Sequence, residues 1–193
     1  MFRITKNGFG FLFCCQVIFI SCQTRSQSSN KKIAAATAGR DSILEKFRHY
    51  FNNTLPLPKN YVSDYENIFT EEQETWLNHL IDSFEKRSTN EIAVVSFDTV
   101  MVTKQNFDAL TLKLANAWGI GKEDKNNGVL IGICSGYKKM RIQNGKGIEK
   151  ILSEAETKLI VDSSFLPRFK EGNYFEGTVN GINHLIQKLM ILK

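Results

Sequence analysis

The feature that most constrains the fold is a nearly continuous apolar run from Val129 to Cys134. Such a run, rich in β-branched side chains, predicts a strand that is buried on both faces. A turn signal at Gly136 follows, and residues 139–143 then alternate between polar and apolar, which predicts a half-exposed strand. The two strands are expected to pair as an antiparallel hairpin inside a layered domain.

Amphipathic helices are predicted on either side of this hairpin. A capping box at Thr70 opens one helix, and a last helix is expected over Tyr174–Ile191. A strand over 92–97, a helix over 105–118 and the strand at 129 form a βαβ unit, which is expected to be parallel and right-handed. The predicted fold class is therefore α/β, a three-layer α/β/α sandwich whose small mixed sheet combines a parallel βαβ pair with an antiparallel hairpin.

Residues 1–21 have the pattern of a lipoprotein signal peptide. Basic residues near the start precede an apolar stretch that is too short to span a membrane comfortably. The sequence Phe19-Ile20-Ser21-Cys22 resembles a bacterial lipobox, which predicts lipid attachment at Cys22. The alternative is an ordinary cleaved signal with an incidental cysteine. Several acyl chains on one cysteine would anchor the protein stably.

The rest of the chain is predicted to form a tether and one domain. Residues 22–58 contain few apolar side chains and many Ser, Thr, Asn and Lys, which predicts a flexible tether with a short helix over 41–51. The domain is expected over 59–193. The protein would then be exported and lipid-anchored to a bacterial membrane, facing the periplasm or the cell exterior.

Charge and cysteine content exclude some classes of function. The formal net charge of +5 comes from scattered basic residues, which argues against nucleic-acid binding. Beyond the leader and Cys22, only Cys134 remains, so neither a disulfide framework nor a zinc site is available. Its position in the apolar run predicts a buried core thiol.

The hairpin is expected to bring two polar loops together. The loop before its first strand (119–127) and the loop after its second (144–149) would lie at the same sheet edge. Their oxygen-bearing side chains suit a hard cation such as calcium. They are Asp124, Asn126, Asn127 and Glu149. The alternative is that these are ordinary turn residues. Asp98, at the end of a strand, is either a ligand-binding residue or a turn cap.

The order and spacing of four motifs resemble the TPM domain, also called the TPM phosphatase domain, from about Tyr61 to Leu189. The motifs are Val62-Ser63-Asp64-Tyr65 with Ile68-Phe69-Thr70, Trp118-Gly119-Ile120-Gly121 with Asn126-Asn127-Gly128-Val129-Leu130, Arg141-Ile142 with Gly145, Gly147, Ile148 and Glu149, and Phe169, Gly172, Tyr174 and Gly177. The resemblance implies an α/β/α sandwich that is usually tethered to a membrane. Family members include an acid phosphatase, calcium-binding proteins and an auxiliary subunit of a receptor channel. Many members carry Asp where this chain has Asn126, which lowers the expected cation affinity.

Two functions follow from the resemblance. The first is a membrane-tethered, non-catalytic module of the cell envelope that binds another protein, with calcium in its loops. The alternative is a metal-assisted phosphatase in which Asp64, Asp124 and Glu149 hold the ion and Arg141 meets phosphate. No phosphatase nucleophile motif is present, and the three histidines are widely separated. The two readings differ in whether those carboxylates come within ~6 Å of one another, close enough to share one ion.

Overall fold

A computed structural model of the protein describes residues 15–191, with side chains from residue 30 onward. The chain divides into two compact units, Met1–Lys46 and Phe47–Lys193. Helix α1 covers Cys15–Asn53, where the sequence predicts a flexible tether with a short helix. Ala, Lys, Gln and Arg favour helix even where there is little apolar surface to bury. Residues 1–14 of the predicted leader and the side chain of Cys22 lie outside this description.

The second unit is built on a four-stranded mixed sheet. Its strands lie side by side in chain order, β1 to β4. They are β1 (Val62–Asp64), β2 (Glu91–Ser96), β3 (Gly128–Cys134) and β4 (Lys139–Asn144). β1, β2 and β3 are parallel, and β3 pairs with β4 as an antiparallel hairpin. The predicted hairpin and parallel pair are confirmed, and β1 adds a third parallel strand to them.

Helices cover both faces of this sheet. They are α2 (Glu71–Ser88), α3 (Phe107–Trp118), α4 (Lys146–Glu149), α5 (Glu154–Ile160), a π-helical turn (Val161–Phe165), α6 (Leu166–Lys170) and α7 (Tyr174–Ile191). Thr70 forms the expected capping box of α2, and Ser153 forms a second capping box at the start of α5. Pro167 lies in the first turn of α6, directly after the π-helical turn. None of the helices in residues 15–191 is long and apolar enough to cross a membrane.

Alternate residues of β2 point into two separate cores. Ile92 and Val94 pack with α2 and α7 on one face. Ala93 and Val95 pack with α3 on the other face. Phe51, near the end of α1, also packs against this second core. The three-layer arrangement predicted from the sequence is therefore confirmed.

The two crossover connections have opposite hands. From β1 to β2, and again from β2 to β3, the chain steps in the same direction across the sheet. Helix α2 lies on one face and α3 on the other. About 98% of parallel crossovers are right-handed. One of the two connections here is therefore the rare left-handed kind, whereas the right-handed expectation from the sequence concerned only the β2–α3–β3 unit.

Glycines in α7 make room for two phenylalanines from the preceding helical segment. A Cβ added at Gly181 would lie 2.0 Å from the ring of Phe165, and one at Gly177 would lie 2.5 Å from the ring of Phe169. Phe165 is fully buried. The spacing of these glycines, one helical turn apart, lets α7 approach the π-helical turn closely.

Candidate functional site

The two polar loops lie side by side, as the hairpin predicts. The backbone N–H of Gly145 donates to Gly128 O at 2.8 Å, and that of Gly147 donates to Asn126 O at 2.9 Å. A Cβ at Gly147 would lie 2.0 Å from Lys125 O. Gly145 and Gly147 therefore permit close packing of the backbones of the two loops.

Asn127 holds these loops to the turn between α2 and β2. It is 5% exposed. Its Oδ1 accepts from the Lys122 N–H at 2.9 Å, and its Nδ2 donates to Thr89 O at 2.6 Å and to Asn90 Oδ1 at 3.2 Å. The side-chain amide is thus engaged at both ends in hydrogen bonds of the fold, so it is a poor candidate for a metal ligand.

The other predicted loop ligands are exposed. Asp124, Asn126 and Glu149 lie at the surface, and Asn126 Nδ2 donates to Glu123 O at 3.2 Å. Nearby cations oppose a divalent ion at this edge, since three lysines on the same loops are also exposed. They are Lys122, Lys125 and Lys146. Within the described part of the chain, no group of three or more His, Cys, Asp or Glu residues is placed to hold a metal ion.

Asp64 lies at the opposite edge of the sheet. It pairs in register with Ser96 at the end of β2, whereas Asn127 O accepts from the N–H of Glu91 at the start of β2. These positions are the two ends of β2, which has six residues, so they lie five steps of ~3.3 Å apart, or roughly 16 Å. The predicted site containing Asp64, Asp124, Asn126, Asn127 and Glu149 is therefore not formed as one set. The physical reason is that β1 runs parallel to β2, so its carboxyl end points away from the loop that precedes β3.

Asp64 instead organises the loop that follows β1. It is 1% exposed. Its carboxylate accepts from the Phe69 N–H at 2.8 Å, from the Glu66 N–H at 3.3 Å and from the Ser96 hydroxyl. A buried carboxylate with three donors is a structural anchor whose hydrogen-bonding capacity is largely used.

Sequence reasoning missed Glu66, which links this loop to the β3–β4 turn. Its carboxylate accepts from the N–H and the hydroxyl of Ser135, both at 2.8 Å, and from the Gly136 N–H at 2.9 Å. The free backbone donors of a tight turn called for an acceptor, but nothing in the sequence indicated which residue would supply it. Burial raises the pKa of the nearby Tyr174 hydroxyl, and the charge of Glu66 raises it further.

The remaining chemical candidates have local roles. Asp98 Oδ1 accepts from the Val100 N–H at 2.8 Å, as expected of a residue that caps a turn. Arg141 is exposed, with its Nη2 3.9 Å from a carboxylate oxygen of Glu154. Cys134 is fully buried, as expected, and burial raises the pKa of its thiol to about 11. A thiol of this kind is a weak nucleophile at neutral pH.

A cleft of about 280 Å³ lies beside the start of β2, and we call it the Trp118 cleft. Its lining residues come from the segment before β1, from β2 and from the end of α3: Pro58, Lys59, Asn60, Tyr61, Glu91, Ala93, Trp118 and Ile120. Sequence reasoning assigned no function to this region. The order of the strands brings Tyr61 next to Glu91, although they are far apart in the chain.

Comparison with solved structures supports the fold. The chain is 30% identical to the N-terminal domain of a protein from P. gingivalis, with a TM-score of 0.60 over 67% of this chain and 82% of that one. It is 23% identical to the BA42 protein from the psychrophilic bacterium Bizionia argentinensis, with a TM-score of 0.58 over 66% and 86% of the two chains. The N-terminal domain of cg2496 from Corynebacterium glutamicum is 14% identical, with a TM-score of 0.52 over 67% and 79%. The last two, at such low identity, bear on the fold alone.

Comparison with family models gives the assignment. The search of curated proteins returned no match. The TPM domain model matches residues 62–188, which include all four sequence motifs and every strand of the sheet. The chain belongs to the TPM domain family.

Proposed function

We propose that this TPM domain is a membrane-tethered, non-catalytic module of the bacterial cell envelope that binds another protein. One observation carries the proposal: the polar side chains assigned to a catalytic metal centre lie at two opposite sheet edges. Asp64 and Asn127 are buried and engaged in hydrogen bonds of the fold. A binding module needs a rigid scaffold and an exposed surface. The buried hydrogen bonds of Asp64 and Asn127 support the rigid scaffold.

The metal-assisted phosphatase is the weaker alternative. It needs several carboxylates around one ion and a positioned nucleophile. Asp64 is separated from Asp124 and Glu149 by roughly the length of a strand, about 16 Å. The three histidines lie on different helices, His49 on α1, His79 on α2 and His184 on α7, where His184 Nδ1 lies 2.8 Å from Ser164 Oγ. No reaction step is therefore assigned to a metal in this domain.

Phosphatase activity gives the direct test. Purified protein would be assayed with p-nitrophenyl phosphate in the presence of calcium or magnesium, beside the double variant Asp124→Asn/Glu149→Gln. We expect equal, background hydrolysis by both proteins, since neither side chain is placed for chemistry. Hydrolysis by the wild type that is lost in the double variant would overturn the non-catalytic proposal.

The binding role is tested by photo-crosslinking in cells. A photoactivatable residue would be placed at Asn60, beside the Trp118 cleft, and separately at Lys158, on the exposed side of α5. A binding module is expected to yield a discrete cross-linked partner from one position and not from the other. The same faint products from both positions, or none, would contradict the proposal.

Membrane tethering through Cys22 is part of the proposal and rests on the lipobox-like sequence. The wild type is expected in the membrane fraction, with acyl chains on Cys22 that mass spectrometry detects. The variant Cys22→Ala is expected in the aqueous fraction. Equal distribution of the two proteins would contradict lipid anchoring.

For calcium, we propose only weak binding at the adjoining loops. Three oxygen-bearing side chains remain there, Asp124, Asn126 and Glu149, and all are exposed beside lysines. Sites with few charged ligands bind calcium at about 10⁻⁴–10⁻³ M. In an NMR titration, amide shifts should be confined to residues 119–127 and 145–149 and should be lost in Glu149→Gln. Saturation at micromolar calcium would show that the donor set is stronger than this geometry indicates.

A further inference from the structure

We propose that the Trp118 cleft binds the ammonium group of a lysine side chain on the partner polypeptide. This inference rests on the proposed binding function and names the chemistry of the partner. The volume of about 280 Å³ suits one side chain, because sites for drug-sized ligands begin at about 300 Å³. The cleft is lined by two aromatic residues that are held by hydrogen bonds and by one carboxylate.

Two aromatic side chains of the cleft are fixed by hydrogen bonds at their polar ends. Trp118 Nε1 donates to Pro56 O at 2.8 Å, and the Tyr61 hydroxyl donates to Glu85 Oε2 at 2.6 Å. Both residues line the cleft, Trp118 from the face of the sheet that α3 covers and Tyr61 from the face that α2 covers. Aromatic faces attract ammonium groups, and rings that are already fixed lose little conformational entropy when a ligand binds.

The cleft also carries negative charge. Glu91 lines it and accepts from the Gly121 N–H through Oε2 at 2.9 Å. Among the described residues, no donor bonds to the other carboxylate oxygen, which is therefore available to a ligand. The hydrogen bond to Glu85 raises the pKa of Tyr61 to about 12, and the charges of Glu85, Asp82 and Glu91 contribute to that rise. These carboxylates add negative charge to the electrostatic environment of Tyr61.

Among the described residues that line the cleft, the basic one is Lys59, and its ammonium group contacts the end of β1. Lys59 Nζ donates to Asp64 O at 2.9 Å and lies 4.9 Å from the centre of the Tyr65 ring. Asp64 O is at the end of β1, away from the start of β2. Since the ammonium of Lys59 already has an acceptor and an aromatic face, it does not neutralise Glu91. A cation from another molecule can take that position.

The test uses full-length ¹⁵N-labelled protein and two capped amino acids. Nα-acetyl-lysine methylamide carries the charge, and Nα-acetyl-norleucine methylamide has a similar aliphatic stem without it. The protein has two tryptophans, so the indole signal of Trp118 reports on the cleft and that of Trp76, 46% exposed, is the internal reference. We expect saturable shifts at Trp118 and Gly121 with the lysine probe, and binding of the norleucine probe weaker by about tenfold.

A charge-removing variant tests the carboxylate. Glu91→Gln keeps an oxygen for the Gly121 N–H and removes the charge, so lysine-probe affinity should fall by about tenfold. Glu123→Gln, at an exposed carboxylate of the neighbouring loop, is the matched control and should leave affinity unchanged. If Glu91→Gln lowers thermal stability, Trp118→Leu provides a second variant that removes one aromatic wall. Equal binding of the two probes, or undiminished binding by Glu91→Gln, would overturn the inference.

The photo-crosslinking assay separates failure of this inference from failure of the proposed function. If the wild type yields a partner and Glu91→Gln yields the same amount, the lysine-binding cleft is refuted while the binding module stands. If the wild type yields no partner although the lysine probe binds, the module itself is refuted.

Discussion

Replacement of Asp64 by Asn is the most informative perturbation of this domain. The side chain is nearly isosteric, so the substitution changes charge and hydrogen bonding while leaving volume almost unchanged. The buried carboxylate accepts from the N–H groups of Phe69 and Glu66 and from the Ser96 hydroxyl. An amide offers one oxygen to these donors and turns an NH₂ group toward the rest, so at least one buried donor loses its acceptor.

The magnitude follows from those contacts. Hydrogen bonds to a charged acceptor contribute about 1.5–3 kcal/mol, and a buried donor without an acceptor costs about 1–3 kcal/mol. We expect Asp64→Asn to lower the free energy of unfolding by about 3 kcal/mol, which corresponds to roughly 6–12 °C in Tm. Urea denaturation followed by circular dichroism measures this directly.

Asp124→Asn is the matched control. Asp124 is exposed, and surface substitutions of this kind usually change stability by less than about 0.5 kcal/mol. If Asp64→Asn unfolds at the same urea concentration as the wild type, Asp64 is not the structural anchor described here.

Three further predictions concern packing, pH and domain boundaries. Gly181→Ala should destabilise the domain by roughly 1–2 kcal/mol in urea denaturation, since overpacking against the Phe165 ring outweighs the ~1 kcal/mol gained in helix propensity. Burial raises the pKa of Cys134 from 9.0 to about 11. The stabilising contribution of the neutral thiol is therefore complete below about pH 9 and is lost as the pH rises through 11. The variant Cys134→Ala should lose less stability than the wild type over that pH range. A fragment of residues 59–193 should be less stable than one of residues 47–193, because it lacks side chains that cover the second core.

Each of these has a clear contrary result. Asn180→Ala, at an exposed position next to Gly181, is the packing control, and a Gly181→Ala protein as stable as Asn180→Ala would refute the close contact. An unchanged pH dependence in Cys134→Ala would refute the burial of the thiol. Equal melting temperatures for the two fragments would show that Phe51 and Leu55 do not belong to the core.

The sequence predicted the secondary structure correctly where the local residue pattern matches the environment of the element in the fold. The apolar run at β3, the capping boxes of α2 and α5, and the periodicity of α7 all specify their elements without help from distant residues. β1 is different, because three residues are too few to show periodicity and pairing with β2 alone makes them a strand. Without that strand, the sequence did not show at which edge of the sheet Asp64 lies.

Other features depend on spatial neighbours that no local pattern reveals. The left-handed crossover depends on which face each helix covers, and both faces of the buried strands are apolar. Glu66 and the Trp118 cleft are assembled from segments that the sheet order brings together. These residue types are common at the surface of any domain, so the sequence alone did not indicate that these residues come together.

The link between α1 and the sheet has a mechanical consequence. Residues 54–61 lead from the end of α1 into β1, and they form one side of the Trp118 cleft. If the chain is tethered at Cys22, tension between membrane and partner enters the domain through this link. The contacts that join α1 and this link to the domain would bear that load before the β1–β2 ladder does; they include the packing of Phe51 and Leu55 on the second core and the hydrogen bond from Trp118 to Pro56 O. Optical-tweezers pulling from the amino-terminal side should show a small extension before the sheet ruptures, so a partner held in the cleft would sense how tightly its anchor is pulled.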